Sequence, residues 1–380
     1  MDHPRRLAGL QEQMSRRGLG LVAYGPSGDF QYLTDLELGW RAKEAEGPSG
    51  AIVLVPREGP PVLILPGPSA DPAGQTWIED VRTYRTDAEL GALLRQALRD
   101  LDANGGGVAI GHGPGGRPAE VLREAAGDAD LREAAGLMAA LRVLKEPEEV
   151  RRLRAVARLT DQVFDAIVPR IREGMTQGDL EAEIALQGKR LGAEGVSFSP
   201  AAIYTKSGSE PAPEPFVYPR EKGLVAGTAI AFDFGFVKDG YCSDFGRSLY
   251  FGEAPAHIRE AYAALQQSVV ETVGRMRDGS MRMCDLFPAV EASLDARGYG
   301  GYLRARLPDG VLGHNIGIEV HEDPWMRPDR PEPIRAAMVM AMEPKLWHSG
   351  EYYLRVEDLV LVGEDGAEFL TQASRDVFQL

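Results

Sequence analysis

The chain has 380 residues, 44% of them hydrophobic and 26% charged, enough for two globular domains with a sizeable buried core. A formal net charge of −15 argues against nucleic acid or an anionic membrane as partner, because both attract basic surfaces. No apolar run approaches the roughly 20 residues that span a bilayer.

Two cysteines, Cys242 and Cys284, without zinc-ligand spacing fit a reducing cytoplasm, as does an amino-terminal stretch lacking an apolar secretory core. Residues 5–17 place Leu7, Leu10 and Met14 on one helical face. Short apolar strands are predicted at 20–24, 51–55 and 61–65, then a helix at 87–101 and a strand at 107–111. Such alternation implies an α/β domain. His112 lies in Gly-His-Gly-Pro-Gly-Gly, which lacks both the Lys-Ser/Thr of a P-loop and the spacing of a dinucleotide site. It reads as a strand-to-helix connection. Pro147, followed by Glu148 and Glu149, opens a long helix on which Val150, Leu153, Ala157, Phe164 and Ile167 recur at helical spacing. The boundary falls near residue 140, giving an α/β domain over 1–140 and a second domain over 141–380.

The second domain carries a diverged internal repeat. Ile171-Arg-Glu-Gly-Met, Asp179-Leu180 and Gly195 match Met276-Arg-Asp-Gly-Ser, Asp285-Leu286 and Gly300 with one residue inserted. Each copy reads as a helix end, a glycine turn, a second helix and a glycine stop. Two similar α/β halves with a cleft between them are expected.

Between the copies, residues 228–250 read as a β-hairpin with a Lys-Asp-Gly turn. Reversal about Lys238–Asp239 sets Asp233 directly opposite Asp244, with Cβ atoms about 4.5–5.5 Å apart. A register centred on Asp239–Gly240 shifts the two onto a diagonal. Like charges at that distance repel, and small neighbours (Ala231, Gly235, Cys242, Gly246) clear space around them, which suggests a cation. His314 and His321 follow in Gly-His-Asn-Ile-Gly-Ile-Glu-Val-His, Glu343 ends an apolar strand, and Arg355 and Glu357 share a strand face. Taken singly, each acid in such apolar strands reads equally well as a salt-bridge partner.

Taken together, these segments resemble the pita-bread metallopeptidases, the family of methionine aminopeptidase, aminopeptidase P, prolidase and creatinase. Residues 141–375 resemble its catalytic domain, and residues 5–135, with Tyr32-Leu-Thr, the amino-terminal domain of its proline-peptidase branch. The resemblance implies an α/β (α+β) protein with a creatinase-like amino-terminal domain and a pseudo-twofold catalytic domain. It further implies two divalent metals: Asp233 on one, Asp244 and Glu357 shared, His314 and Glu343 completing the second. Four carboxylates and one imidazole are a hard set that favours Mn²⁺, with Co²⁺, Zn²⁺ or Fe²⁺ as alternatives. A hydroxide held between the metals would attack the peptide, Glu343 would shuttle the proton, His321 would bind the carbonyl oxygen, and Arg355 would position Glu357 and a substrate carboxylate.

Two histidines usual in the proline-specific branch are absent, with Phe216 and Gly310 in their places. Tyr204, Lys206, Tyr218 and, from the first domain, Arg41 are the candidates to replace them as substrate contacts, with Phe216 as an apolar wall. The expected activity is Xaa-Pro dipeptidase or aminopeptidase P-like hydrolysis of short peptides by a homodimer or higher homo-oligomer. The alternatives are a carboxypeptidase-like enzyme of the same fold and a non-catalytic binding protein.

Overall fold

The computed structural model describes residues 1–41, 50–67, 74–101, 106–113, 116–127, 131–134, 136–304, 310–375 and 378–380. The chain divides into two units, Met1–Arg142 and Val143–Leu380.

The first unit is built on a six-stranded sheet in the order Asp80–Tyr84, Val62–Pro66, Ile52–Pro56, Leu19–Tyr24, Gly107–Ile110, Leu131–Glu133. Leu19–Tyr24 is buried along its whole length, as an unbroken apolar run covered on both faces should be. The helix Asp87–Asp100 turns Leu90, Leu94 and Leu98 onto this sheet, capped at its start by the Thr86 hydroxyl. His112 leaves the sheet edge and pairs with Asp29 at 3.2 Å, while Arg142 donates to the other Asp29 oxygen at 2.8 Å. Burial opposes the charge on Asp29, but these two partners hold its carboxyl below the usual range.

The second unit shows the repeat as structure. Helices Pro147–Ile167 and Gln177–Arg190 correspond to Ala256–Val273 and Met283–Asp295. Between the members of each pair the chain turns at Gly174 (φ 84°) and Gly279 (φ 66°), a left-handed conformation that glycine adopts without strain. The second helix of the first pair opens with a capping box of Thr176 and Asp179, and in the second pair Asp285 accepts from the backbone N–H and guanidinium of Arg282. The helix stops differ from expectation: the left-handed glycines are Gly192 and Gly298, whereas Gly195 begins a short strand and Gly300 a 3₁₀ turn.

Each half contributes sheet to the core. Thr228–Asp233 is the middle strand between Ala201–Lys206 and Ser248–Phe251. In the second half Gly313–Asn315, Val339–Met342 and Asp358–Val362 are successive neighbours of a five-stranded sheet, and Leu303–Arg304, Lys345–His348 and Tyr352–Arg355 form a smaller one. The halves are stitched at Gly246 and Glu357, whose backbone N–H groups donate to each other's carbonyls at 3.3 and 2.8 Å. That crossing brings the hairpin of one half against the strands of the other.

Candidate active site

The hairpin turns at Asp239 (φ 50°) and Gly240 (φ 72°), both left-handed, as a type I′ turn requires. Lys238 therefore pairs with Tyr241, Val237 with Cys242 and Phe234 with Phe245. This corrects the register about Lys238–Asp239: Asp233 and Asp244 stand on a diagonal, not face to face. They still converge. Gly235 cannot carry a side chain, since a Cβ there would meet the Ser243 carbonyl oxygen at 1.9 Å. At Gly246 a Cβ would meet Arg355 Nε at 2.8 Å, so that glycine makes room for the guanidinium.

Three groups of side chains each bring one ligand atom per residue within 4.8 Å of one another: Asp233, Asp244 and Glu357; His314, Glu343 and Glu357; and Asp244, His314 and His321. Asp244, His314 and Glu357 each belong to two of the three. His314 Nδ1 donates to the Asn315 carbonyl at 2.9 Å, which leaves the lone pair on Nε2, 3.4 Å from Asp244 and 3.8 Å from Glu343. Asp244 Oδ1 and Glu357 Oε1 are buried and accept no hydrogen bond from the described residues. Buried carboxylate oxygens without donors, gathered around an imidazole lone pair, suit divalent cations and are costly without them.

The protonation of the cluster tells the same story. Burial, then the negative charges of Asp233 and Glu343, raises Asp244 above the usual carboxylate range. Burial also raises Glu357, against the opposing charge of Arg355 and with the charges of Asp244, Glu343 and Asp233 adding to it. Asp244, pushed up to about 8, gives up a proton when a metal binds near neutral pH. Mn²⁺ affinity should rise between pH 6 and pH 8 by about tenfold per pH unit for each proton displaced. Calorimetric titration of the metal-free protein in buffers of different ionisation heat measures this directly, and an affinity flat across that range would refute it.

Arg355 is wholly committed to these acids. It donates to Glu357 Oε2 through Nε (3.0 Å) and Nη2, to Glu343 Oε2 at 2.9 Å through Nη2, and to Asp233 through Nη1. It orders three acids of the cluster and has no fork left for a substrate carboxylate, contrary to that part of the expectation. His321 is exposed, with its ring 4.5 Å from that of His314. Cys242 is buried and donates to the Ile318 carbonyl at 3.2 Å, a packing role.

A cavity of about 330 Å³ opens onto Asp233 and Glu343, walled by Phe216, Trp347 and Tyr353. Phe216 is 59% exposed and packs edge-on against Tyr353, so the residue replacing a histidine forms an apolar wall. Two other candidates are corrected. Tyr204 is fully buried with its hydroxyl on the carbonyls of Met175 and Thr176, and Tyr218 packs against it and donates to the Gly223 carbonyl. Neither hydroxyl is available to a substrate. Lys206 lies at a separate, smaller cavity, its ammonium near the Ser207 and Gly227 carbonyls. Gly310 adopts φ 79°, which a histidine there would adopt only with strain. Arg41 belongs to the first unit, paired with Glu37 at 3.2 Å.

Sequence reasoning overlooked Lys345, buried with its ammonium 2.5 Å from Glu343 Oε2, and Arg304 beside it. The only signal was a lysine two residues after Glu343 in an otherwise apolar strand.

Comparison with known proteins now adds to this geometry. The profile of metallopeptidase family M24 matches residues 151–364. The chain belongs to that family. It is a hydrolase of peptide bonds; M24 peptidases are dinuclear metal enzymes, and this chain carries candidate ligand groups for such a centre. Among its relatives, YkvY of Bacillus subtilis (strain 168), provisionally named a dipeptidase, is 28% identical over 326 residues, covering 85% of this chain and 87% of that one. The solved Xaa-Pro dipeptidase from Bacillus anthracis superimposes with a TM-score of 0.85 at 20% identity, over 100% of both chains. A dipeptidase from Pyrococcus horikoshii OT3 gives 0.84 at 24% identity, over 99% of this chain and 100% of its own. The fold is the pita-bread fold of prolidases, as the motifs implied.

Proposed function

We propose that this M24 peptidase is a Mn²⁺-dependent dipeptidase cleaving Xaa-Pro bonds in short peptides, acting as a homodimer in the cytoplasm. The observation that carries the substrate is the cavity at the ligand cluster, about 330 Å³ and walled by Phe216, Trp347 and Tyr353. That space suits a short peptide, and aromatic faces suit a proline ring. The relative from Bacillus anthracis carries an Xaa-Pro dipeptidase name, which supports the same reading. The dimer is carried over from the family resemblance.

In this reading Asp233, Asp244, His314, Glu343 and Glu357 would hold the metals. Two divalent cations there would bring the pKa of a bound water down towards neutrality and polarise the scissile carbonyl. Glu343, whose Oε2 accepts from Lys345 and Arg355, would pass a proton to the leaving nitrogen. His321, exposed at the cluster, donates to the scissile carbonyl oxygen as charge builds on it. Arg355 fixes the acids so that little reorganisation accompanies the reaction. Oxygen-rich ligation is the support for Mn²⁺ over thiolate-seeking metals.

The test is a panel of di-, tri- and tetrapeptides with proline at each position, incubated with the Mn²⁺-loaded enzyme and resolved by mass spectrometry. Cleavage confined to dipeptides with proline second is the expected outcome. Release of carboxy-terminal residues from longer peptides would replace this specificity with a carboxypeptidase one.

A further inference from the structure

His321 ends the loop that joins the strand Gly313–Asn315 to the strand Glu322–Trp325. His321 is exposed and Glu322, the next residue, is buried, so the two side chains leave the chain in opposite directions. The Glu322 carboxylate is the hub of this loop. Its Oε1 accepts from the Glu319 backbone N–H at 3.2 Å, and its Oε2 accepts from the Lys145 ammonium at 2.7 Å. The loop leaves space for that carboxylate: a Cβ on Gly317 would meet its two oxygens at 2.7 and 2.9 Å. Cys242, on the hairpin of Asp233 and Asp244, ties the same loop a second time. Its backbone N–H donates to the Gly317 carbonyl at 2.8 Å and its thiol to the Ile318 carbonyl at 3.2 Å.

Both members of the Lys145–Glu322 pair are almost wholly buried, with side chains 1% and 5% exposed. Such a pair gains little stability, because well-packed apolar residues of similar volume do as well or better. What it supplies is a single arrangement, since any other leaves a bare charge in the interior. Lys145 is itself anchored, with its backbone N–H on the Ala337 carbonyl at 2.8 Å. It also stands two residues before the helix Pro147–Ile167, whose first turn is closed by Glu149 accepting from the Glu146 N–H at 3.0 Å. The loop is therefore fastened to a fixed point of the fold, one residue away from the imidazole. That imidazole lies 4.5 Å from the His314 ring and 5.2 Å from the Trp325 ring, so a slack loop would carry it off the cluster.

We propose that Lys145 is a positioning residue for His321, acting through Glu322 to hold the imidazole where charge builds on the scissile carbonyl oxygen. The proposal rests on the role given to His321 in the peptidase reading. Lys145 is buried and acts only through the loop. A donor whose bond strengthens as charge develops raises kcat and leaves KM largely alone. Misplacing a catalytic group by about 1 Å costs up to about 10²-fold, comparable to losing an oxyanion donor outright.

The experiment compares wild type, Lys145→Met, His321→Ala and the double variant as Mn²⁺-loaded enzymes on an Xaa-Pro dipeptide, with metal content measured in each. Lys145→Met should lower kcat at least about tenfold, with KM and metal content unchanged. In the His321→Ala background the same substitution should change kcat by less than about twofold, because the group it positions is gone. Nuclear magnetic resonance of the metal-free proteins, grown on isotope-labelled histidine, gives a second reading without catalysis. The His321 ring signal is the one missing from His321→Ala. It should shift or broaden in Lys145→Met, while the signals of His257 and His348 stay in place. Lys145→Met/Glu322→Gln removes both charges together, so a folded variant is at hand if Lys145→Met alone does not fold. An unchanged kcat, a loss of equal size with and without His321, or an undisturbed His321 signal would overturn the proposal. Absence of peptide hydrolysis from the wild type would sink the peptidase reading, and the ring signal would then decide the tethering of His321 by itself.

Discussion

Asp244→Ala should reduce peptide hydrolysis by at least about 10³-fold, because a metal centre supplies several kcal/mol of the barrier reduction and each 1.4 kcal/mol is tenfold. The same variant should fold. Asp244 is buried beside Asp233 and Glu343, whose charges oppose its ionisation, and its Oδ1 accepts no hydrogen bond from the described residues. Without metal it strains the structure, and its removal relieves like-charge crowding. The metal-free variant should therefore melt no lower than the metal-free wild type, while losing the gain in melting temperature that Mn²⁺ gives the wild type. Calorimetric melts with and without Mn²⁺, beside a peptide assay, separate the two effects. Retained hydrolysis in Asp244→Ala would refute the site, and a collapsed fold would refute the account of the apoprotein.

The second large effect lies beneath the metal cluster and is one of stability. Arg247 is fully buried and donates to the carbonyls of Gly246 and Glu357, each at 2.9 Å, and to Asp358 Oδ1 at 2.6 Å. It thus clamps the crossing where the two halves meet. Asp358 also accepts from Thr371 at 2.7 Å and from Arg375 at 2.8 Å. Burial opposes its charge, yet Arg247 and Arg375 hold its carboxyl below the usual range. Arg247→Met leaves that carboxylate buried and undercompensated, and should cost about 3–5 kcal/mol, as broken buried pairs do. Urea unfolding of the two proteins at pH 7 measures it. Because the folded value of Asp358 is depressed, its contribution is present above the unfolded value of 3.8 and is lost as pH falls through the folded value. The difference between variant and wild type should hold from pH 7 to pH 5 and shrink only in stronger acid.

The candidate cluster was legible because its acids and His314 sit in short segments whose chemistry is local. Asp233, Asp244, His314, Glu343 and Glu357 interrupt apolar strands, and buried acids need partners whatever the fold. The repeat was legible through its turn glycines and the Asp-Leu pair that follows each, which are also local. The hairpin register was within reach but misplaced: Lys-Asp-Gly allows two centres, and only Asp239–Gly240 supplies the left-handed pair that the turn demands. Tyr204 and Tyr218 were misjudged because a tyrosine near a site looks the same in sequence whether its hydroxyl faces solvent or a backbone carbonyl. The juxtaposition of Arg304, Lys345 and Arg355 in the smaller sheet was out of reach for a different reason. Lys345 and Arg355 pair across a short hairpin, but Arg304 joins them from a distant segment, and no spacing rule announces that. The Arg247 clamp is hidden in the same way, since its partners are carbonyls and acids from distant segments.

The central claim is that two divalent metals held by these five residues carry out peptide hydrolysis. The most direct measurement strips the protein of metal, titrates Mn²⁺ back, and follows bound metal by mass spectrometry alongside Xaa-Pro dipeptide hydrolysis. Two Mn²⁺ per chain, with hydrolysis absent from the stripped protein and rising to its maximum as the sites fill, is the expected result. Failure to bind Mn²⁺, or hydrolysis that survives complete removal of metal, would contradict the account.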